Sequence, residues 1–343
     1  MMSVKTVLDT IFVWFARHSE STTPKCGFLA MLGVSSLLIA GTAFAQESAL
    51  VLTSVPASYS ITSQLTKETD VRVRNIPQEG RIIYSVKQYI NKHNKMLKDV
   101  FSEADAVITM GNLWKKDPLY PAVRDVNIRV VNVDATRPAS STMTGVSVIH
   151  EPSRANLWTS VTGRKVSVRR PSVYCWLSLA NGARMADVIT SDLMRLYPDQ
   201  KEQLSKNLKL FQKQIHSMRA AYDSQFAQVD NLTVFCLASE FVYLTDDAGI
   251  YVDGYMVKQD INWNSNDLLA LTKRLKENDI PVVLHKWVPS EAIQKAISAG
   301  GAKLVVLNPL DGVSFKGKGL LPSTYFDVMK ENYEALSRAF SDT

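Results

Sequence analysis

One apolar stripe near the middle of the chain limits the architectures that this sequence can adopt. Its seven members follow one another at spacings of 4, 3, 4, 3, 4 and 4 and are Leu204, Leu208, Phe211, Ile215, Met218, Tyr222 and Phe226. These spacings place all seven on one face of an α-helix. The stripe predicts one continuous helix of about 30 residues, about 45 Å long at 1.5 Å per residue. Such a helix can join two other regions rigidly.

Short strand and helix patterns alternate on both sides of this helix. Strands are predicted over residues 50–54, 70–73, 105–109, 128–133, 232–237, 280–284 and 302–307. Helices are predicted over residues 82–104, 266–278, 290–298 and 323–340, and a turn is predicted at Pro56 and the Ser and Thr residues after it. This alternation is typical of βαβ units. It predicts an α/β fold of two Rossmann-like lobes joined by a single long rigid helix, with a ligand cleft between the lobes.

The chain length suits this division, since 343 residues correspond to two domains at about 100–200 residues each. We assign residues 46–195 to an N-terminal lobe, 196–229 to the linking helix and 230–343 to a C-terminal lobe. Residues 135–172, rich in Thr, Ser, Arg and Pro, are predicted to form a long irregular excursion.

The first 45 residues are predicted to be a cleaved signal peptide. Residues 27–40 are an apolar run, Lys25 precedes them, and Ala43-Phe44-Ala45 forms an A-x-A cleavage site before Gln46. The remaining chain is expected to be exported, which in a bacterium means the periplasm.

Composition excludes several classes of protein. Three Cys do not support a disulfide-framed domain, and five scattered His do not form a metal-storage tract. The formal net charge is only +6 and its basic residues are dispersed, so nucleic acid is not an expected partner. No nucleophile elbow, Walker loop, dinucleotide fingerprint or zinc-protease motif occurs, so we do not expect an enzyme.

Ordered landmarks along residues 50–340 identify a family resemblance. They include Ser102-Glu103-Ala104-Asp105-Ala106-Val107, Trp176-Leu177-Ser178, Tyr197-Pro198-Asp199, Asn308-Pro309-Leu310 and Tyr325-Phe326-Asp327-Val328-Met329-Lys330. Together they resemble the zinc/manganese-type solute-binding proteins of bacterial ABC importers. The resemblance implies a transition metal ion (iron, manganese or zinc) or a metal chelate held in the cleft, delivery to an ABC permease in the inner membrane, and restricted motion of the lobes.

The usual His ligands of that family are missing here. Tyr174 stands where its Asp-Pro-His-Val-Trp motif has His, Ala238 replaces the His of the second lobe, and Asn308 replaces the terminal Asp. The first His has no equivalent, and its stretch offers only Glu79 and Tyr84. Because zinc needs about four donor ligands, the ordinary zinc site is not expected.

Other donors suggest a remodelled site. Tyr174 and Glu240, with Tyr84 or Glu79, form an oxygen-rich set that favours ferric ion or a metal chelate over zinc. The candidate metal ligands are Tyr174, Glu240, Asn308, His285, His150 and Glu79, and the other cleft candidates are Tyr84, Cys175, Cys236 and Trp176.

Each candidate also has an ordinary structural explanation. Tyr174 can fill the volume of a lost His, His285 can be bonded to backbone, and Cys175 and Cys236 can be free, buried thiols or a disulfide.

Three functions stay open at this point. The first is the solute-binding component of a metal ABC importer with an altered site. The second is an accessory or interaction protein of a metal-chelate uptake system that keeps the fold but binds no ion. The third is a receptor for a small organic anion, in which the cleft is lined by Arg81, Arg164, Arg169 and Arg170.

Overall fold

Two four-stranded parallel sheets organise the computed structural model, which describes residues 49–78, 81–151, 170–312 and 324–341. The first sheet has the order β2-β1-β3-β4 and consists of β1 (Leu50–Thr53), β2 (Arg72–Asn75), β3 (Ala106–Thr109) and β4 (Val131–Asp134). The second has the order β6-β5-β7-β8 and consists of β5 (Thr233–Cys236), β6 (Tyr251–Tyr255), β7 (Val282–His285) and β8 (Lys303–Val306). Every pairing is parallel, which confirms the predicted α/β fold.

Nine α-helices of the described residues surround these sheets. They are α1 (Pro56–Leu65), α2 (Val86–Glu103), α3 (Leu119–Arg124), α4 (Leu179–Leu196), α5 (Lys201–Phe226), α6 (Val242–Asp247), α7 (Ser265–Glu277), α8 (Glu291–Ala299) and α9 (Tyr325–Ser341). Consecutive apolar runs form β1, β3 and most of β7, which are buried along their whole length. Such apolar runs are typical of strands in parallel sheets that are covered on both faces.

The long helix predicted from the apolar stripe is α5, and it has 26 residues. It begins after a 3₁₀ turn at Pro198–Gln200, because a proline cannot supply the backbone N–H that a helix interior needs. Asn207 of this helix donates hydrogen bonds to the backbone carbonyls of Leu65 (2.9 Å) and Lys67 (2.6 Å) in the first lobe. Further along, Tyr222 stacks on Tyr333 of α9, with ring centroids 4.8 Å apart.

Several sequence-based expectations were wrong or incomplete, and the helices α3, α4 and α6 were not predicted. The turn predicted at Pro56 is the first turn of α1, because proline at the first helical position loses no internal hydrogen bond. The strand β6 was not predicted, since Asp253 and Gly254 interrupt its apolar pattern.

Both sheets belong to one compact unit, residues 47–343. The predicted excursion joins them: the Tyr243 hydroxyl, from α6, accepts from the Ile149 N–H (2.9 Å) and donates to the Ser172 carbonyl (3.3 Å). Asp247, at the end of α6, accepts from the backbone N–H of Leu179 at the start of α4 (2.8 Å). Among the described residues, no helix has the length and apolarity that a membrane crossing needs. The signal peptide lies outside them, and the lobe boundaries stay a prediction.

Candidate metal centre

A buried hydrogen bond joins the segment before α4 to the segment after β8. The Tyr174 hydroxyl donates to the Asp311 carboxylate at 2.8 Å, and only 4% of Tyr174 is exposed. Two residues on, the Trp176 indole donates to the backbone carbonyl of Pro309 at 2.8 Å. Asp311 also sits one residue before Gly312, where an added Cβ would lie 3.0 Å from the backbone nitrogen of Ile82. The 309–312 segment therefore lies against both the 174–176 segment and the backbone at Ile82.

An ion pair lies on the second-lobe side of the same region. Glu240 follows β5 and Lys286 follows β7, and these strands are neighbours in the sheet, so their carboxyl ends meet. The Lys286 ammonium donates to the Glu240 carboxylate, and the two side chains are 24% and 12% exposed. The same ammonium lies 5.3 Å from the centroid of the Trp287 ring, within the range of a cation–π contact.

Burial and nearby charges shift the pKa of three of these groups. Burial raises the pKa of Tyr174, and the charges of Asp311 and Glu240 raise it further. The pKa of Tyr84 is raised by partial desolvation and then by Glu151, Glu240 and Asp311. Burial raises the pKa of Asp311 as well, while the Tyr174 hydrogen bond and the Lys286 charge lower it. We call Tyr84, Tyr174, Glu240 and Asp311 the oxygen cluster.

The oxygen cluster offers two phenols and two carboxylates, the hard donors that ferric ion and manganese accept. One carboxylate accepts from a phenol and the other is paired with an ammonium. Among the described residues, no three His, Cys, Asp or Glu side chains are grouped so that they could hold a metal ion. Any metal site here would therefore have to use tyrosine oxygens as well.

The histidine and asparagine candidates have other contacts. His285, the last residue of β7, is 2% exposed, its ring centroid is 4.2 Å from that of Trp287, and its Nδ1 has no partner. His150 is exposed and forms an isolated β-bridge with Pro171. The Asn308 side-chain oxygen accepts from the Leu310 N–H at 2.9 Å. Glu79 lies outside the described residues.

The cysteine and tryptophan candidates are core residues. Cys175 and Cys236 are buried and free, so they do not form the disulfide that was left open, and burial raises the pKa of each thiol. Trp176 is fully buried. A side chain without solvent access serves packing better than capture of a soluble ligand.

The arginine candidates give the organic-anion function little support. Arg81 and Arg170 are exposed, and the Arg81 guanidinium lies 5.2 Å from the centroid of the Tyr89 ring. Arg164 and Arg169 lie outside the described residues.

Sequence reasoning missed Asp311 and Lys286. Asp311 comes three residues after the Asn308 that replaces the family's acidic ligand, so a search of neighbouring positions for a carboxylate would have found it. Lys286 gives no such signal, because its pairing with Glu240 depends on the adjacency of β5 and β7, which are distant in sequence.

Titration of His285 should make stability depend on pH. The pKa of His285 is lowered from 6.5 to about 4, mainly by burial; Asp260 opposes this shift and Lys286 adds to it. Between pH about 6.5 and about 4, His285 binds a proton in the unfolded chain but not in the folded one. The stability that the neutral His285 contributes is therefore complete above the unfolded pKa and is lost as the pH falls toward the folded pKa. We expect the free energy of unfolding to drop by about 3 kcal/mol across this window.

Urea unfolding at a series of pH values measures this drop. His285→Gln should flatten the dependence, whereas the matched control His216→Gln, on the exposed face of α5, should keep it. An equal slope in wild type and His285→Gln would contradict the assignment.

Comparison with known proteins places these features in context. The family model described as "Zinc-uptake complex component A periplasmic" matches residues 51–339. The high-affinity zinc uptake system protein ZnuA of Bacillus subtilis (strain 168) is 26% identical over 167 residues, which are 48% of this chain and 51% of that protein. The aligned region thus spans about half the length of this curated relative.

Solved structures of other proteins share the fold, among them the following two. Zn(II)-bound AdcA from Streptococcus pneumoniae has a TM-score of 0.61 at 21% identity, covering 86% of this chain and 58% of that chain. A mutant Mn-bound periplasmic metal binding protein from Candidatus Liberibacter asiaticus has a TM-score of 0.63 at 16% identity, covering 85% of this chain and 99% of that chain.

Proposed function

Because the chain belongs to the family of periplasmic zinc-uptake complex components, we propose that it is the periplasmic solute-binding component of an ABC importer for a transition metal. In this role it is a carrier and not an enzyme, and its partner is the permease of the inner membrane. The relatives described above are named for zinc uptake or were solved with zinc or manganese bound, which supports a transition metal as the cargo.

The observation that carries the proposal is the convergence of tyrosine and carboxylate oxygens between the 174–176 and 309–312 segments. The charge of Glu240 raises the pKa of both Tyr174 and Asp311, Tyr174 donates to Asp311, and the side chain of Tyr84 is exposed. A metal cation that enters this cluster would favour loss of the Tyr174 phenol proton, because the ion opposes the effect of burial. Oxygen donors favour ferric ion, manganese or a chelate of either over zinc.

Metal analysis of the purified protein, followed by calorimetric titration with manganese, zinc and a ferric chelate, tests the proposal. We expect one ion per chain. Loss of a residue that only hydrogen-bonds to a metal ligand typically weakens a metal site about 10- to 100-fold, so Tyr174→Phe, which removes an oxygen of the cluster itself, should weaken binding at least about 100-fold. The control Tyr251→Phe alters a tyrosine on β6 that is 66% exposed and should bind as wild type does. No binding of any of these probes would refute the metal role.

A second function is favoured by one observation. The Lys286–Glu240 ion pair neutralises one of the two acidic groups of the oxygen cluster without any metal. This suits a protein that keeps the fold, binds no ion and assists a metal-chelate uptake system by contacting another periplasmic protein. A wild-type protein that binds no metal but captures a defined periplasmic partner of that system would favour this alternative.

A further inference from the structure

The position of Lys286 resembles that of a bound cation. Its ammonium contacts the Glu240 carboxylate, it lowers the pKa of Asp311, and only 24% of its side chain is exposed. A carboxylate as buried as Glu240, 12% exposed, is costly without a positive partner. Lys286 therefore supplies to the oxygen cluster the charge that a metal ion would otherwise supply.

We propose that Lys286 is a tethered cation that competes with metal ions for the oxygen cluster and so determines which cations the protein accepts. This inference rests on the proposed function, because it concerns the same cluster. An ion can use the Glu240 oxygens only after the ammonium withdraws. Lys286 therefore excludes weakly bound divalent ions. An ion of higher charge, or one that brings its own anionic ligands, competes with the ammonium more effectively than they do.

The structure gives the displaced ammonium another contact. Lysine carries a compact charge on a flexible four-carbon stem, and the face of Trp287 already lies 5.3 Å from its Nζ. A short movement from Glu240 toward Trp287 would keep the charge in a favourable contact while it frees the carboxylate. The competition is thus an exchange between two contacts of Lys286 and needs no rearrangement of the sheet.

Calorimetric titration of the full chain with manganese(II) and zinc(II) chloride tests the inference on Lys286→Gln. Glutamine keeps a donor for Glu240 but removes the charge. Since one unit charge a few ångströms away strongly repels a divalent ion, we expect binding at least about tenfold tighter than in wild type. Lys286→Arg keeps the charge and should bind no tighter than wild type. Lys286→Met, whose thioether can pack on Trp287, provides a second neutral variant if the first does not fold.

The outcomes separate this inference from the proposed function. Tighter binding by the neutral variants than by wild type supports the inference, whether or not wild type itself binds. If wild type binds metal and the neutral variants bind equally or more weakly, the inference is overturned while the proposed function stands. If neither wild type nor any folded variant binds manganese(II) or zinc(II), the inference is overturned, and the titration with a ferric chelate decides the proposed function separately. Tighter binding by Lys286→Arg as well would also refute a role for the charge.

Discussion

Replacement of Trp176 by Ala should lower the free energy of unfolding by about 3–5 kcal/mol, the usual cost of deleting a large buried aromatic side chain. Trp176 has no exposed surface, its ring centroid lies 5.2 Å from that of Tyr174, and its indole N–H donates to the Pro309 carbonyl. Truncation would leave a cavity beside the oxygen cluster and would remove the hydrogen-bond donor of the part-buried Pro309 carbonyl. Urea unfolding followed by circular dichroism measures the change.

Two further variants separate these causes. Trp176→Phe retains an aromatic ring but not the N–H, so it should cost less, about 1–3 kcal/mol for the unpaired carbonyl. Trp263→Ala removes a partly buried indole at the edge of the second-lobe core and serves as the matched control. Equal destabilisation by Trp176→Ala and Trp263→Ala would contradict the expectation that the buried Trp176 contributes more to stability than the partly buried Trp263.

Replacement of Gly182 by Ala should also destabilise the protein, although alanine is the better helix former. A Cβ on Gly182, in α4, would lie 2.2 Å from the Tyr325 hydroxyl oxygen and 2.8 Å from its ring. Tyr325 is fully buried and donates to the Trp176 carbonyl at 2.8 Å, so it has little room to retreat. Overpacking of about 1–3 kcal/mol or more and the lost hydrogen bond outweigh the helix gain of about 1 kcal/mol. We expect a net loss of about 2–3 kcal/mol.

A double-mutant cycle with Tyr325→Phe identifies the clash. Phenylalanine lacks the hydroxyl that the new Cβ would meet first, so Gly182→Ala should cost less in that background than in wild type. Equal unfolding free energies for wild type and Gly182→Ala would contradict the close approach of α4 and α9.

Local sequence patterns predicted the elements whose burial is continuous. The apolar stripe of α5 and the apolar runs of β1, β3 and β7 can each be recognised from residues that are close in sequence. Strand β6 has no such pattern, because it lies at a sheet edge where Tyr251 is 66% exposed, and because Gly254 fits against the ring of Phe235.

Helix α1 shows a different difficulty. Its Ser and Thr residues are typical of turns, yet Ser58, Ser60 and Thr62 are buried, and the Thr62 hydroxyl donates to the Ser58 carbonyl at 2.7 Å. Tertiary packing outweighs local propensity there.

The candidate site depends on contacts between distant parts of the chain. Sequence comparison identified Tyr174 and Glu240 as substitutes for lost ligands, but it treated them as donors to one ion. In the structure Tyr174 donates to Asp311 and Glu240 is paired with Lys286. Those partners are 137 and 46 residues away, so the two pairings could not be predicted from local patterns, although a carboxylate could be sought near Asn308.

The two buried thiols can report how often the structure around each of them opens. Cys175 lies next to α4, and Cys236 ends β5 of the second sheet. A thiol reagent in solution can reach either sulfur only while the surrounding structure is open, because the reactive thiolate does not form in the closed core. In a variant with Cys26 replaced, pulsed alkylation followed by mass spectrometry gives a separate opening rate at each of the two cysteines. One rate is for the region beside α4 and the other is for the second sheet. The difference between the two rates measures how independently these two regions open.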